Sequence, residues 1–144
     1  MDTRQVNVIV ADAAKKIAGI ELGTSLPHLV IEEMLGVQRL EEPGKYYRLV
    51  SKLRNELIRE YGIFLETDHK IGYRTCKRGD EIKLCAGEVK SGIKKIWKAT
   101  AKTQFIRVDE IKDSEKRAQT IAMAQKLANL TGMLKAGQVE LLSS

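Results

Sequence analysis

The sequence predicts a mainly α-helical protein with one small β-hairpin, and three observations carry that expectation. Apolar residues recur at three- and four-residue steps in several segments, which places them on one face of an α-helix. One short stretch, residues 63–75, instead holds two β-type runs around the polar turn Asp68-His69-Lys70. The composition of the 144 residues, 43% hydrophobic and 31% charged, is that of a soluble domain able to bury a sizeable core.

In chain order, Val6, Ile9, Val10, Ala13, Ile17 and Ile20 hold helical spacing, so a first helix is expected from about Thr3 to Ala18, capped by Thr3 and ended by Gly19. The β-branched run Val8-Ile9-Val10 favours a strand locally, but the stripe persists for four turns and helix is preferred. Ser25-Leu26-Pro27 reads as the start of a second helix, with Ser25 as cap and proline in the first turn, running to Gly36. Adjacent Glu32 and Glu33 point about 100° apart on such a helix and form no acid pair. The span Gly36 to Gly44 is either an expanded turn or contains a helical turn at Val37–Leu40.

The central helix is expected over 46–61. Tyr46, Leu49, Val50, Leu53, Leu57 and Tyr61 share one face, and Arg48, Lys52, Asn55 and Arg59 lie opposite. Gly62 ends it, and Ile63-Phe64-Leu65 and Ile71–Thr75 supply the two arms of the hairpin. Asp80 can cap a long helix whose apolar face comprises Ile82, Cys85, Ala86, Val89, Ile93, Ile96, Trp97 and Thr100, with Lys90, Lys94 and Lys98 as a neighbouring stripe. Cys85 and Trp97 read as core residues, and neither Cys76 nor Cys85 as half of a disulfide. Gln104–Val108 reads as a short strand or an extended connector. The last helix, capped by Asp113 or Ser114, has two apolar sides, Ala118, Ile121 and Ala122 on one and Met123, Leu127, Leu130 and Leu134 on the other. Such a helix is buried between neighbours in one chain or shared with a second subunit.

The net charge of +6 is unevenly placed. Residues 1–44 carry 4 Lys/Arg against 7 Asp/Glu, residues 45–102 carry 15 against 7, and residues 103–144 carry 6 against 5. The central excess falls on particular helix faces and on the hairpin, which points to a polyanionic partner. Only 5% of residues are aromatic, few for stacking single-stranded bases. Two histidines on unrelated segments and the absence of GxxxxGK[ST], GxGxxG and HExxH motifs argue against an enzyme, a metal site or a bound cofactor. No apolar run reaches the roughly twenty residues of a membrane span, and no secretory signal is recognisable, so a cytoplasmic location is expected, nucleoid-associated if the partner is DNA.

Val50-Ser51-Lys52-Leu53-Arg54-Asn55-Glu56-Leu57, followed by Leu65-Glu66-Thr67 and Ile71-Gly72-Tyr73-Arg74, resembles the recognition helix and wing of winged-helix DNA-binding domains, in particular those of response-regulator transcription factors. Glu32-Glu33-Met34-Leu35-Gly36-Val37 is similar to the close of the first helix in helix-turn-helix units. The resemblance implies a winged helix-turn-helix core, here over residues 1–78; the helical periodicity adds a C-terminal extension, 79–144, expected to pack on the core, its last helix either buried within the chain or mediating oligomerisation. It implies no phosphorelay signalling, since nothing resembles a receiver domain. The expected function is sequence-preferring binding of double-stranded DNA, as a transcriptional regulator or other DNA-transaction factor. The recognition helix 46–61 would present Lys45, Arg48, Lys52, Asn55 and Arg59, and the wing 63–78 would present His69, Lys70, Arg74, Lys77 and Arg78. Lys90, Lys94 and Lys98 would extend the phosphate contacts, and a homodimer or higher oligomer would form through the C-terminal helix. The rival expectation is a winged-helix adaptor or inhibitor that binds the transcription machinery without reading DNA.

Overall fold

The computed structural model describes residues 2–69 and 71–143, with side chains as far as Gly137. The protein is mainly helical with a small antiparallel sheet. Its chain divides within one long helix into two compact units, Met1–Leu84 and Cys85–Ser144.

The first unit opens with α1, Thr3–Ala18. Its cap is Asp2 rather than Thr3: the Asp2 carboxylate accepts from the Arg4 N–H and the Gln5 side chain accepts from the Asp2 N–H, a reciprocal box that leaves Thr3 inside the helix. Val10, Ala13, Ala14 and Ile17 face the core, whereas Val8 stands in solvent, as helical rather than strand periodicity requires.

Ser25–Pro27 is not the first turn of a helix but a strand, β1. It pairs antiparallel with a later strand in the register Ser25↔Arg74, Leu26↔Tyr73, Pro27↔Gly72. Burying Leu26 against the core and pairing its backbone outweigh the local helix-start signal, and an edge strand tolerates the proline that lacks an N–H. Helix α2 then spans His28–Leu35 and ends at Gly36. Residues 37–42 form an expanded turn, closed by the Glu42 N–H donating to the Gln38 carbonyl at 2.9 Å, with no helix at Val37–Leu40.

Helix α3 spans Pro43–Glu56 and begins earlier than expected, because Pro43 occupies its first turn, where no N–H is required. A π-helical turn, Leu57–Tyr61, continues it to Gly62, which takes a left-handed conformation (φ 61°). Tyr46, Leu49, Val50, Leu53 and Leu57 are buried as the spacing predicts. Tyr61 is not: beyond Gly62 the Ile63 N–H turns back to the Leu57 carbonyl, and Ile63 covers this end of the core in its place.

Strands β2, Leu65–Asp68, and β3, Gly72–Thr75, form the expected hairpin, and β3 lies in the centre of the sheet order β1-β3-β2. Gly72 is required by close approach. A Cβ there would lie 2.7 Å from both the Leu26 carbonyl oxygen and the His28 nitrogen, and its φ of 153° is one that other residues rarely adopt. The buried Thr75 hydroxyl is satisfied by the Gly23 N–H at 3.0 Å.

Helix α4, Glu81–Lys102, crosses into the second unit. Of its expected apolar face only Ile93 is buried; Ile96 and Trp97 are half-buried, and Ile82, Ala86 and Val89 are exposed. Cys85 is likewise only half-buried, while Cys76 in the first unit is buried. The expected connector after α4 is two 3-10 turns, Thr103–Phe105 and Val108–Glu110, rather than a strand. Helix α5, Ser114–Ser143, starts where the Asp113 carboxylate accepts from the Glu115 and Lys116 N–H groups. Within this unit Thr100 and Thr131 share a hydroxyl hydrogen bond of 2.8 Å and the Lys135 ammonium lies 5.7 Å from the centre of the Trp97 ring. No described helix is long and apolar enough to cross a membrane.

Candidate nucleic-acid interface

The buried stripe of α3 fixes what its other side presents. Arg48, Lys52 and Asn55 are exposed and, among the described residues, have no hydrogen-bond or ion-pair partner. They do not point straight out from the core. Lys52, Asn55 and Arg59 line a groove with Asn7, Val10 and Ala11 of α1, and Lys45, Arg48 and Lys52 line a second with Thr3 and Val6. The basic face of α3 therefore leans towards α1; Tyr47 and Ser51 are also exposed on α3, and Ile58 is exposed on the π-helical turn that follows.

The other expected contacts of the first unit are less free. Lys45 is half-buried and lies 3.9 Å from Glu42. Arg59 is exposed but holds Glu56 at 2.5 Å and Glu60 at 3.3 Å, so its charge is locally neutralised. Arg74 meets its cross-strand partner Glu66 at 3.0 Å. The Arg78 guanidinium donates to the Gly62 carbonyl at 2.6 Å, which ties down the end of the π-helical turn. His69 and Lys77 are exposed; the Lys77 stem runs over Gly23, where a Cβ would lie 2.7 Å from its Cε. Lys70 lies outside the described residues. Lys90, Lys94 and Lys98 are exposed on the part of α4 that belongs to the second unit.

A set of residues that periodicity does not reveal joins the hairpin to the helices. The Arg54 guanidinium lies 4.9 Å from the centre of the Tyr73 ring on β3 and donates to the Thr67 hydroxyl of β2 at 3.1 Å. Tyr73 stacks edge-on with His28 at the start of α2, and His28 Nδ1 lies 2.7 Å from the hydroxyl of Tyr46, which is fully buried. Burial raises the pKa of both tyrosines, with nearby charges as lesser contributions. Burial, assisted by Arg39, lowers that of His28 below 6.5 against the opposing pull of Glu32. A neutral imidazole with Nδ1 unprotonated accepts the Tyr46 O–H, so this pair is satisfied without a charge, whereas the Arg54 Nε is buried with no hydrogen-bond partner. The Arg39 N–H in the turn donates to the Glu32 carboxylate at 2.7 Å, which anchors the expanded loop to α2.

Among the described residues no group of three or more His, Cys, Asp or Glu is placed to hold a metal ion. Comparison with family models, curated proteins and solved structures finds no match to this chain.

Proposed function

We propose that the chain binds double-stranded DNA with sequence preference as a winged helix, in which α3 is the recognition helix and β2–β3 the wing, and that it acts as a homodimer or higher oligomer through α5. The observation that carries this reading is the exposed, partnerless strip Arg48–Lys52–Asn55, which flanks the buried stripe of α3 and lines the grooves between α3 and α1. Arg and Lys can pair with guanine edges and Asn with adenine, so the strip has the residue types that read a major groove. The order α1-β1-α2-α3-β2-β3, with β3 between β1 and β2, supports a hairpin braced beside that helix, and the Arg54 bridge sets its distance. Lys77 and His69 on this hairpin would meet the backbone, positioning the protein without specifying sequence.

The test is fluorescence anisotropy of the full chain against random duplex and single-stranded DNA at two salt concentrations. Duplex binding that falls by about a hundredfold or more over a fourfold rise in salt, and is lost in Arg48→Ala/Lys52→Ala, is the expected result. Salt-insensitive or absent duplex binding would overturn it. That outcome would favour a protein-binding adaptor, for which the solvent-exposed Leu29 in the first turn of α2 and Leu40 in the α2–α3 turn are the specific observation.

A further inference from the structure

Two arginines of the first unit stand half-buried without a counter-charge. Arg39 lies in the α2–α3 turn and Arg54 on α3, and among the described residues neither forms an ion pair. The Nε of each is enclosed and has no hydrogen-bond partner. The other arginines of the chain that are drawn in or tied down differ. Arg117, also half-buried, donates from two nitrogens to the Ile111 carbonyl, and Arg59, Arg74 and Arg78 each hold a carboxylate or carbonyl. A cation partly withdrawn from water with its donors unfilled costs free energy, and an anion supplied from outside would remove that cost.

Both guanidiniums border one aromatic patch. Arg54 lies 4.9 Å from the centre of the Tyr73 ring and donates to the Thr67 hydroxyl. Tyr73 and Tyr46 each pack edge-on against His28, and the Tyr46 ring centre lies 5.1 Å from that of Tyr47. The Tyr47 hydroxyl sits against the Arg39 guanidinium and raises its pKa. Burial raises the pKa of Tyr73 while the charges of Arg54 and Arg39 both oppose it, so each cation is within electrostatic reach of that one ring. Glu32 is the carboxylate felt at Arg39, but it accepts the backbone N–H there and makes no ion pair with the guanidinium. Tyr47 and Thr67 are exposed, so the patch opens to solvent with two hydroxyl donors at its rim.

We infer that Arg39 and Arg54, with the Tyr47 and Thr67 hydroxyls beside them, form a binding site for a phosphate group. A planar guanidinium presents paired N–H donors that match two oxygens of one anion. A carboxylate has only two oxygens and fills one such fork, whereas the tetrahedral oxygens of a phosphate can meet one fork from the α2–α3 turn and another from α3. Seating the phosphate turns the enclosed Nε–H edges towards its oxygens, a rotation of side-chain torsions alone. The site is distinct from the Arg48–Lys52–Asn55 strip, which lines grooves on the α1 side of α3, and does not rest on the reading of that strip. The phosphate belongs either to a small phosphate or phosphate ester or to a nucleic-acid backbone.

The experiment is nuclear magnetic resonance of the arginine Nε–H signals in the full chain, with Arg39→Lys and Arg54→Lys used to identify the two signals and circular dichroism to establish that each variant is folded. Inorganic phosphate is titrated against sodium chloride at matched ionic strength. Both signals should move along one saturable curve in phosphate and stay in place in chloride. Arg54→Lys keeps the charge but lacks the fork, and should raise the phosphate concentration that half-saturates the Arg39 signal by about tenfold. Should that variant fail to fold, Arg39→Lys read at the Arg54 signal gives the reciprocal answer. Signals that do not move, move equally in chloride, or follow two separate curves overturn the inference. Random-sequence duplex DNA then separates the sources. Movement of the same two signals by duplex, reversed by phosphate, assigns the site to the nucleic-acid backbone; movement by phosphate alone assigns it to a small phosphate or its ester. Because inorganic phosphate is the probe, a failure of duplex binding leaves the result intact.

Discussion

Single residues separate the cations that are available from those that are already engaged. Among the described residues Arg48 and Lys52 make no ion pair, although Glu56 lines the same groove as Lys52, whereas Arg59 and Arg74 hold carboxylates and Arg78 holds a backbone carbonyl. An engaged arginine must give up its partner to meet a phosphate, so Arg48→Ala should reduce duplex affinity more than Arg59→Ala or Arg74→Ala does, as titrations at one salt concentration would reveal. On the proposed reading, Asn55→Ala should alter sequence preference by about 1–3 kcal/mol at one base pair, whereas Lys94→Ala should weaken all sequences alike; competition among duplexes of different sequence measures both. At His28 the argument concerns protons. Its folded pKa lies below the 6.5 of a free imidazole, so the folded state binds a proton less readily than the unfolded chain. This stability is fully present above about pH 6.5 and declines as pH falls below it; denaturant melts from pH 7.5 to 5 should show the loss, and His28→Gln should flatten it.

Between elements, the contact most exposed to test is the one that fixes the hairpin to α3. Arg54→Ala removes a hydrogen bond and a cation–π contact, together worth about 1–2 kcal/mol, and should lower the denaturation midpoint of the first unit while loosening the hairpin. Gly72→Ala should cost at least that much, since a Cβ meets the β1 backbone, which cannot swing aside as a side chain can. The elements built on a long stripe were legible in the sequence: α1, the body of α3, α4 and α5 repeat their pattern over several turns, and Gly62 marks the hairpin's approach. Strand β1 was not, because three residues ending in proline carry no period and their conformation is set by β3, almost fifty residues away. The exposed strip of α3 follows from its buried one, so Arg48, Lys52 and Asn55 could be named in advance. Arg54, Tyr73 and His28 could not, because what joins them is tertiary distance. The pairing of Arg59 with Glu56 follows from helical i,i+3 spacing, whereas the Arg78 contact with the Gly62 carbonyl, sixteen residues back, does not.

At the scale of the molecule, the two units differ in kind. Met1–Leu84 holds nearly the whole buried core, and Cys85–Ser144 holds one buried anchor and a long two-sided helix. Their unfolding should therefore separate. In a denaturant titration followed by circular dichroism, the helix lost with the second unit should shift to higher denaturant as protein concentration rises, while the transition of the first should stay in place. The chain supplies the reporters for this. Its single tryptophan, Trp97, lies in the second unit under the Lys135 ammonium, and its four tyrosines, Tyr46, Tyr47, Tyr61 and Tyr73, all lie in the first. Indole fluorescence excited near 295 nm and the ultraviolet absorbance of the phenols thus form two intrinsic optical channels, one for each unit, and the native protein can be watched coming apart in either half without a label.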